Sequence, residues 1–510
     1  MRTMVAVVTA LALLCALQFG ARPAGAAPAS GGTLKLLATT ANYGVFPGLD
    51  PATDTSDAVD HDYMNMIYGE LFSQGGKQPQ PDLASSAKLS KDLKTFDIFL
   101  RHGVKFTDGT PFNAQAVIFN LKRDLNPANA CICLPSFPVA SMSAPNPYEV
   151  QLKLSKPFAP IENAFIASAP DWIVSPTALA KEGEKTFALN PVGAGPFEMV
   201  KMIPSTSMVL KRNPNYFEKG QPKLDGIDVT VVGSDQSAYN AIQAGQGQAY
   251  ESFATYSLIP SLKGVKLTPI IPSGTGASAV QLNTTVAPFN NIKAREAMYY
   301  ALDPGPINKA LYLGRATATQ SLRGPGELFF EPKVPGYRTY NLAKAKALVQ
   351  QLGGLNVTLK TESSMTPLAE AVIGEYSKAG IKVTFAPESF TDNITDYHSN
   401  NWQMKFSAGG GYDPGILLGL QFWYASNAPF TGIKDPKLDA LINEGVAVAS
   451  KSARAKVYGE VYKYISDQAY SPVLFFAPLF NLTAPGVTGT GLTTEGGEVL
   501  WQTVSINNKK

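Results

Sequence analysis

From residue 33 to about residue 480 the chain alternates short strand-like runs with longer helix-like runs, and this pattern narrows the possible folds more than any other feature. Phe96, Ile98 and Leu100 alternate with polar neighbours, as do Tyr148, Val150, Leu152 and Leu154, and Ile227, Val229 and Val231. That two-residue period places one set of side chains on one face of a strand. Further strands are expected at 33–37, 279–282, 382–385, 403–406 and 473–476. Residues 60–71 instead carry apolar groups at 63, 66, 67 and 71, which is helical spacing. Asn113 can cap a helix running to about Arg123. Later helices are expected at 293–302, 343–352, 367–379, 437–449 and 453–469. Strands and helices mixed in this way predict α/β lobes. The 510 residues allow about three domain-sized units. The Pro- and Gly-rich stretch 269–276 is the expected crossing between lobes. The turn-rich tail after Asn481 can return to the first lobe.

The first 26 residues read as an address rather than as fold. A weakly basic start at Arg2 precedes an apolar run over 5–17, then Ala24-Gly25-Ala26 offers small residues for cleavage. This is the pattern of a secretory signal peptide. The run is shorter than the roughly 20 apolar residues of a membrane-spanning helix. Cys15 lies inside it without the small residues that precede a lipid-bearing cysteine. A protein of the periplasm is therefore expected. The net charge of +3 supplies no basic excess for holding nucleic acid. After cleavage two cysteines remain, Cys131 and Cys133, and in an oxidising compartment a local disulfide is expected between them.

A search for chemistry finds no catalytic motif. No G-x-S-x-G elbow occurs. Ser85-Ser86-Ala87-Lys88 fits S-x-x-K without its Lys-Thr-Gly companion and reads as a surface turn. Gly193 and Gly195, like Gly274 and Gly276, lack a full dinucleotide fingerprint and read as turns needing positive φ. Asp50, Asp54 and Asp57 crowd one loop without the calcium-loop series. His61, His102 and His398 are scattered, so no metal and no cofactor are expected. One cluster stands out. Tyr397, Trp402, Phe406, Tyr412, Phe422, Trp423 and Tyr424 surround the run Gly409-Gly410-Gly411. Aromatic rings beside flexible backbone suit a pocket that stacks on a ligand, with Phe422 and Trp423 assigned to the core. The same cluster could serve aromatic subsites of a secreted hydrolase, the alternative reading.

Several segments, in order, resemble the solute-binding proteins of peptide/nickel-type ABC importers, family 5 of the bacterial extracellular solute-binding proteins. They are Leu49-Asp50-Pro51 with Tyr68-Gly69-Glu70-Leu71, the stretch from Leu100 to Ala114, and Pro191 to Phe197. Leu282-Asn283 with Pro288-Phe289, the stretch from Lys293 to Asp303, Tyr412-Asp413-Pro414 and Asp435-Pro436 follow. The resemblance implies two α/β lobes, the first enlarged, with a hinge and a solute held between them. It implies lobe I over 27–272 with an extra subdomain at about 76–200, lobe II over 273–481, and a return segment over 482–510. It also implies a monomer that delivers its solute, a small molecule or short peptide, to an ABC permease without catalysis.

Family geometry points to Thr55, Ser56 and Asp57 on the first lobe and to the stretch from Phe406 to Tyr412 on the second. Ser407, Gly410, Tyr412 and Trp402 complete the expected ligand contacts, and the loop from Cys131 to Phe137 is expected nearby. Arg295 is expected to pair locally. One departure matters. Peptide-binding relatives often carry W-x-A-D-Y-x-D-P, whose first Asp pairs with the peptide ammonium. Here the stretch reads Ser407-Ala408-Gly409-Gly410-Gly411-Tyr412-Asp413-Pro414, with Gly410 in place of that Asp when aligned on Asp-Pro, or Gly411 when aligned on the Tyr. A buried ammonium without a partner is costly, so another solute or another acid is implied. Asp57, from the opposite lobe, is one candidate for that acid.

Overall fold

The computed structural model describes residues 31–39, 48–53, 61–73, 78–129, 131, 133–166, 168–270, 276–408, 412–416, 419–490 and 499–507. Residues 1–26, expected as a signal peptide, and Thr55, Ser56, Asp57, Gly410 and Gly274 lie outside these. No helix among the described residues is long and apolar enough to cross a membrane.

Strand Thr33–Thr39 sits inside a seven-stranded sheet, hydrogen-bonded in parallel to Gly226–Val232 on one side and to Ala249–Phe253 on the other. Its sequence is apolar on both faces because both faces are covered. Leu34 and Leu36 enter a core with helix His61–Tyr68, Trp172 and Trp501, whereas Leu37 enters another with Ala238 and Ile242 of helix Asp235–Gln243. Each fully buried large apolar side chain contributes about 1.5–3 kcal/mol. Strands Ser207–Arg212 and Phe197–Ile203 extend the sheet on the Gly226–Val232 side. Leu479–Thr483 and Lys266–Ile270 extend it on the other.

A four-stranded antiparallel sheet is appended to this body: Ala84–Leu89, Thr95–Leu100, Glu149–Leu154 and Val139–Asn146. Phe96, Ile98 and Leu100 face its core as the alternation predicts. Helix Ala114–Asp124 covers it, and Asn113 caps that helix by accepting from Ala116 N at 3.1 Å. Cys131 and Cys133 form the expected disulfide, buried in the same core.

The second body is built on a five-stranded sheet ordered Ile381–Glu388, Leu355–Glu362, Met404–Ala408, Ser278–Leu282, Val473–Phe475. Helices Ile292–Ala301, Leu342–Gln351 and Thr366–Lys378 pack on it. Two successive strand pairs lie in different sheets, Lys266–Ile270 with Ser278–Leu282 and Val473–Phe475 with Leu479–Thr483, so the chain changes sheet twice. The boundary expected at 481 therefore falls inside Leu479–Thr483, a strand of the first sheet: its pairing with Ala249–Phe253 and Lys266–Ile270 fixes it there.

Two expectations change in detail. Gly193 and Gly195 do not have positive φ. They are glycine because the chain presses against the end of helix His61–Tyr68. A Cβ on Gly193 would lie 2.4 Å from the Ile67 carbonyl oxygen, and one on Gly195 would lie 2.6 Å from the Ile67 carbonyl carbon. Ser85 is in a strand rather than a turn, and its hydroxyl donates to the Phe99 carbonyl at 3.0 Å.

Candidate functional site

Among the described residues the two bodies meet in two zones. Beside the crossings, Tyr256 of the first body packs edge-on against Tyr312 of the second at 5.0 Å and against Phe480 at 5.4 Å. Its hydroxyl donates to the Pro478 carbonyl in the crossing itself. The second zone joins the appended sheet to the second body. Ala159 N donates to the Val446 carbonyl at 2.6 Å, and Lys156 Nζ reaches Asn443 Oδ1 at 3.4 Å. Ile416 and Val446 complete the apolar core under the four-stranded sheet, and Tyr412 packs on it half-buried.

The Tyr412-Asp413-Pro414 turn is held from behind. Asp413 is fully buried and accepts from Arg454 Nη2 at 2.6 Å and from Gly415 N at 3.0 Å. Burial alone would make the Arg454 guanidinium easier to deprotonate; Asp413 and Tyr458 reverse this and raise it above its ordinary value. Asp413 thus anchors the loop through Oδ1, while its Oδ2 is buried without a hydrogen-bond partner. Asp435 likewise caps helix Pro436–Ala447, accepting from Lys437 N at 2.9 Å and Tyr470 Oη at 2.6 Å. Arg295 pairs locally as expected, donating to the carbonyls of Gln468 and Phe289. Asp50 of the acidic loop accepts both nitrogens of Arg123, which commits it to structure rather than to a cation.

Trp402, expected among the ligand contacts, is packed among other rings. It is 3% exposed and lies in a closed cluster with Tyr397, Phe422 and Phe430. Tyr397 meets it edge-on at 5.2 Å, and Phe422 stacks on Phe430 at 4.5 Å. Rings satisfied by one another form a wall, not open subsites, and the hydrolase alternative loses its support. Phe406 is half-buried against the second body's core. Ser407 is 6% exposed, and its hydroxyl makes no hydrogen bond of normal geometry. Beside this wall runs an ionic network. Lys405, 1% exposed, reaches Glu388 at 2.6 Å and Asn393 at 2.5 Å, with its ammonium 4.8 Å over the Tyr397 ring. Lys360 pairs with Asp396 and lies 3.7 Å from Glu388.

The first body shows a contrasting arrangement that the sequence did not suggest. Glu251 lies near the carboxyl end of strand Ala249–Phe253. Its Oε1 is sealed from solvent and has no hydrogen-bond partner. Burial, and then the charge of Asp62, push the Glu251 carboxyl well above the usual carboxylate range. Asp62 Oδ1 accepts from the Trp501 indole at 3.4 Å. Asn481, 2% exposed, donates to the Thr490 carbonyl at 2.9 Å but leaves its own Oδ1 unpartnered. These residues are 62, 251 and 481 in sequence. Only the return of Leu479–Thr483 to the first sheet brings the last one in, so no local motif could have found them.

The model for bacterial extracellular solute-binding proteins, family 5 Middle, matches residues 78–429. Glutathione-binding protein GsiB of Escherichia coli strain K12 is 30% identical over 393 residues, spanning 75% of this chain and 73% of that protein. The periplasmic binding protein DppA from Helicobacter pylori, solved with the peptide STSA, superposes with a TM-score of 0.78 at 22% identity, over 94% of this chain and 99% of that one. The oligopeptide-binding protein AppA from Bacillus subtilis, solved with a nonapeptide, gives 0.78 at 19% identity, over 94% of this chain and all (100%) of that one. These structures show the fold: two α/β lobes joined by crossing segments.

Proposed function

Because the chain belongs to the bacterial extracellular solute-binding proteins of family 5, we propose that it is a periplasmic carrier that closes its two lobes on a peptide-like solute of glutathione size. As a solute-binding component of an ABC import system it captures a small solute and hands it to a membrane permease. The observation that carries the finer reading is the 30% identity to GsiB, a glutathione-binding protein, over 75% of the chain. The double passage between the two sheets supports a hinge, and contacts across it supply a closed state for the solute to favour. In this reading the N-terminal segment exports the chain, which acts as a monomer and leaves its solute unchanged. Lobe I ends before the first crossing, and lobe II ends before Leu479. Thr55, Ser56, Asp57, Trp402, Phe406, Ser407, Gly410 and Tyr412 remain the proposed contacts.

The test is to denature freshly purified protein and identify the released solute by mass spectrometry, then to titrate glutathione into the emptied protein. A tripeptide-sized solute recovered intact, and a thermal shift with glutathione, are expected, since ligand binding to the native state raises apparent stability. A sugar, or a solute recovered cleaved, would overturn the reading.

A further inference from the structure

The second lobe has lost the acid that its peptide-binding relatives are expected to offer an ammonium, because Gly410 stands in its place. The first lobe holds an acid with no cation. Tyr250 and Phe253 face the core that contains Leu37 and Ile242, as do Phe480 and Leu482 of the partner strand. Ala249 faces the opposite core, with Tyr63 and Trp501. The pairing runs Tyr250 to Leu482 and then Phe253 to Phe480, so a bulge sets Glu251 and Ser252 against the single residue Asn481. Glu251 and Asn481 therefore share the face that carries Asp62 and Trp501.

Their position along the sheet matters as much as the face. Strands Thr33–Thr39 and Ala249–Phe253 are parallel, and Glu251 is two residues from the carboxyl end of the latter. Leu479–Thr483 arrives from the second lobe at this same end, and Ile270, where Lys266–Ile270 ends toward the other crossing, pairs with Leu479 there. In open α/β sheets ligands bind beyond the carboxyl ends of the strands. What gathers there is a set of acceptors: Glu251 Oε1 and Asn481 Oδ1, both buried and unpartnered, near the Asp62 carboxylate. An unpaired buried acceptor is costly to the fold, so leaving two on one face points to a donor supplied from outside.

We propose that Glu251, with Asn481 beside it, receives a nitrogen cation of the solute, an ammonium bearing several N–H donors, and replaces from the first lobe the acid missing at Gly410. An ammonium has three donors and no acceptor, which matches a site made only of acceptors. The inference rests on the carrier reading above, and it adds that the solute is recognised by its amine.

The test titrates glutathione and N-acetylglutathione into emptied wild-type protein and into Glu251→Gln, with the melting temperature of each protein recorded without solute. Expected results are a loss of at least tenfold in glutathione affinity in the variant, and a comparable loss on acetylating the amine in wild type. The two losses should not add when combined. The unliganded variant should melt no lower than wild type, because the substitution removes an acid whose Oε1 is sealed from solvent and unpartnered; a merely structural Glu251 would lower it. Equal glutathione affinity in both proteins, or equal binding of both forms by wild type, overturns the inference. If neither form binds, glutathione is not the solute and the carrier reading loses that detail alone. The solute released from wild type then decides: one with a basic nitrogen that is retained less by Glu251→Gln supports the inference. One without a basic nitrogen, or no released solute at all, counts against it.

Discussion

Both lobes bury carboxylates beside their sheets, but they treat them differently. In the second lobe Glu388 faces Lys405 at 2.6 Å and Lys360 at 3.7 Å, and Asp396 also has Lys360. In the first, Asp50 is paired with Arg123, but Glu251 has another acid, Asp62, as its charged neighbour, and Asp124 has neither oxygen hydrogen-bonded. Paired ions in a packed wall serve rigidity. An acid held without a partner costs stability, and a fold keeps one where something else is to complete it.

The largest expected effect comes from breaking the satisfied side. Lys405→Met strands Glu388 in a buried setting and should cost about 3–5 kcal/mol, read by urea unfolding. A cost below about 1 kcal/mol would mean that Lys360 alone balances the network and that the two lobes differ less than their geometry indicates. Trp402→Ala should cost about 3 kcal/mol by emptying the cluster of Tyr397, Phe422 and Phe430. A near-neutral result would contradict that packing.

The unpaired side should respond in the opposite direction. Burial pushes Asp124 well above its ordinary value; Arg123 opposes this and Asp50 adds to it. The folded state therefore keeps a proton that the unfolded state releases. Stability should fall as pH rises from the ordinary aspartate range toward the raised folded value, by up to about 1.4 kcal/mol per pH unit. Asp124→Asn should remove that slope and melt higher than wild type at neutral pH, as measured by calorimetry across pH. A variant that melts lower would show Asp124 to be doing structural work. The smallest effect on stability is expected for Glu251→Gln, which should melt at or slightly above wild type while binding an amine-bearing solute less tightly.

Much of the fold could be read from the sequence because its signals are local. The strand alternation at Phe96, Ile98 and Leu100 and the Asn113 cap concern residues a few positions apart, and each appears where the pattern puts it. The glycines were placed correctly but for the wrong reason: Gly193 and Gly195 answer to helix His61–Tyr68, more than a hundred positions away, not to their own φ. The site was less legible. Aromatic density between 397 and 424 cannot distinguish an open box from a closed cluster, since both need the same rings; only packing decides, and Trp402 is packed. Glu251 gave no signal, because its isolation depends on what a returning strand and a helix place around it. Asp57 and Gly410 lie outside the described residues.

The central claim is that the solute is gripped between two hinged lobes. Small-angle X-ray scattering on the emptied protein, alone and saturated with the solute recovered from it, tests this most directly. The account predicts a smaller radius of gyration when solute is bound, as the lobes close. An unchanged radius at full occupancy would contradict it.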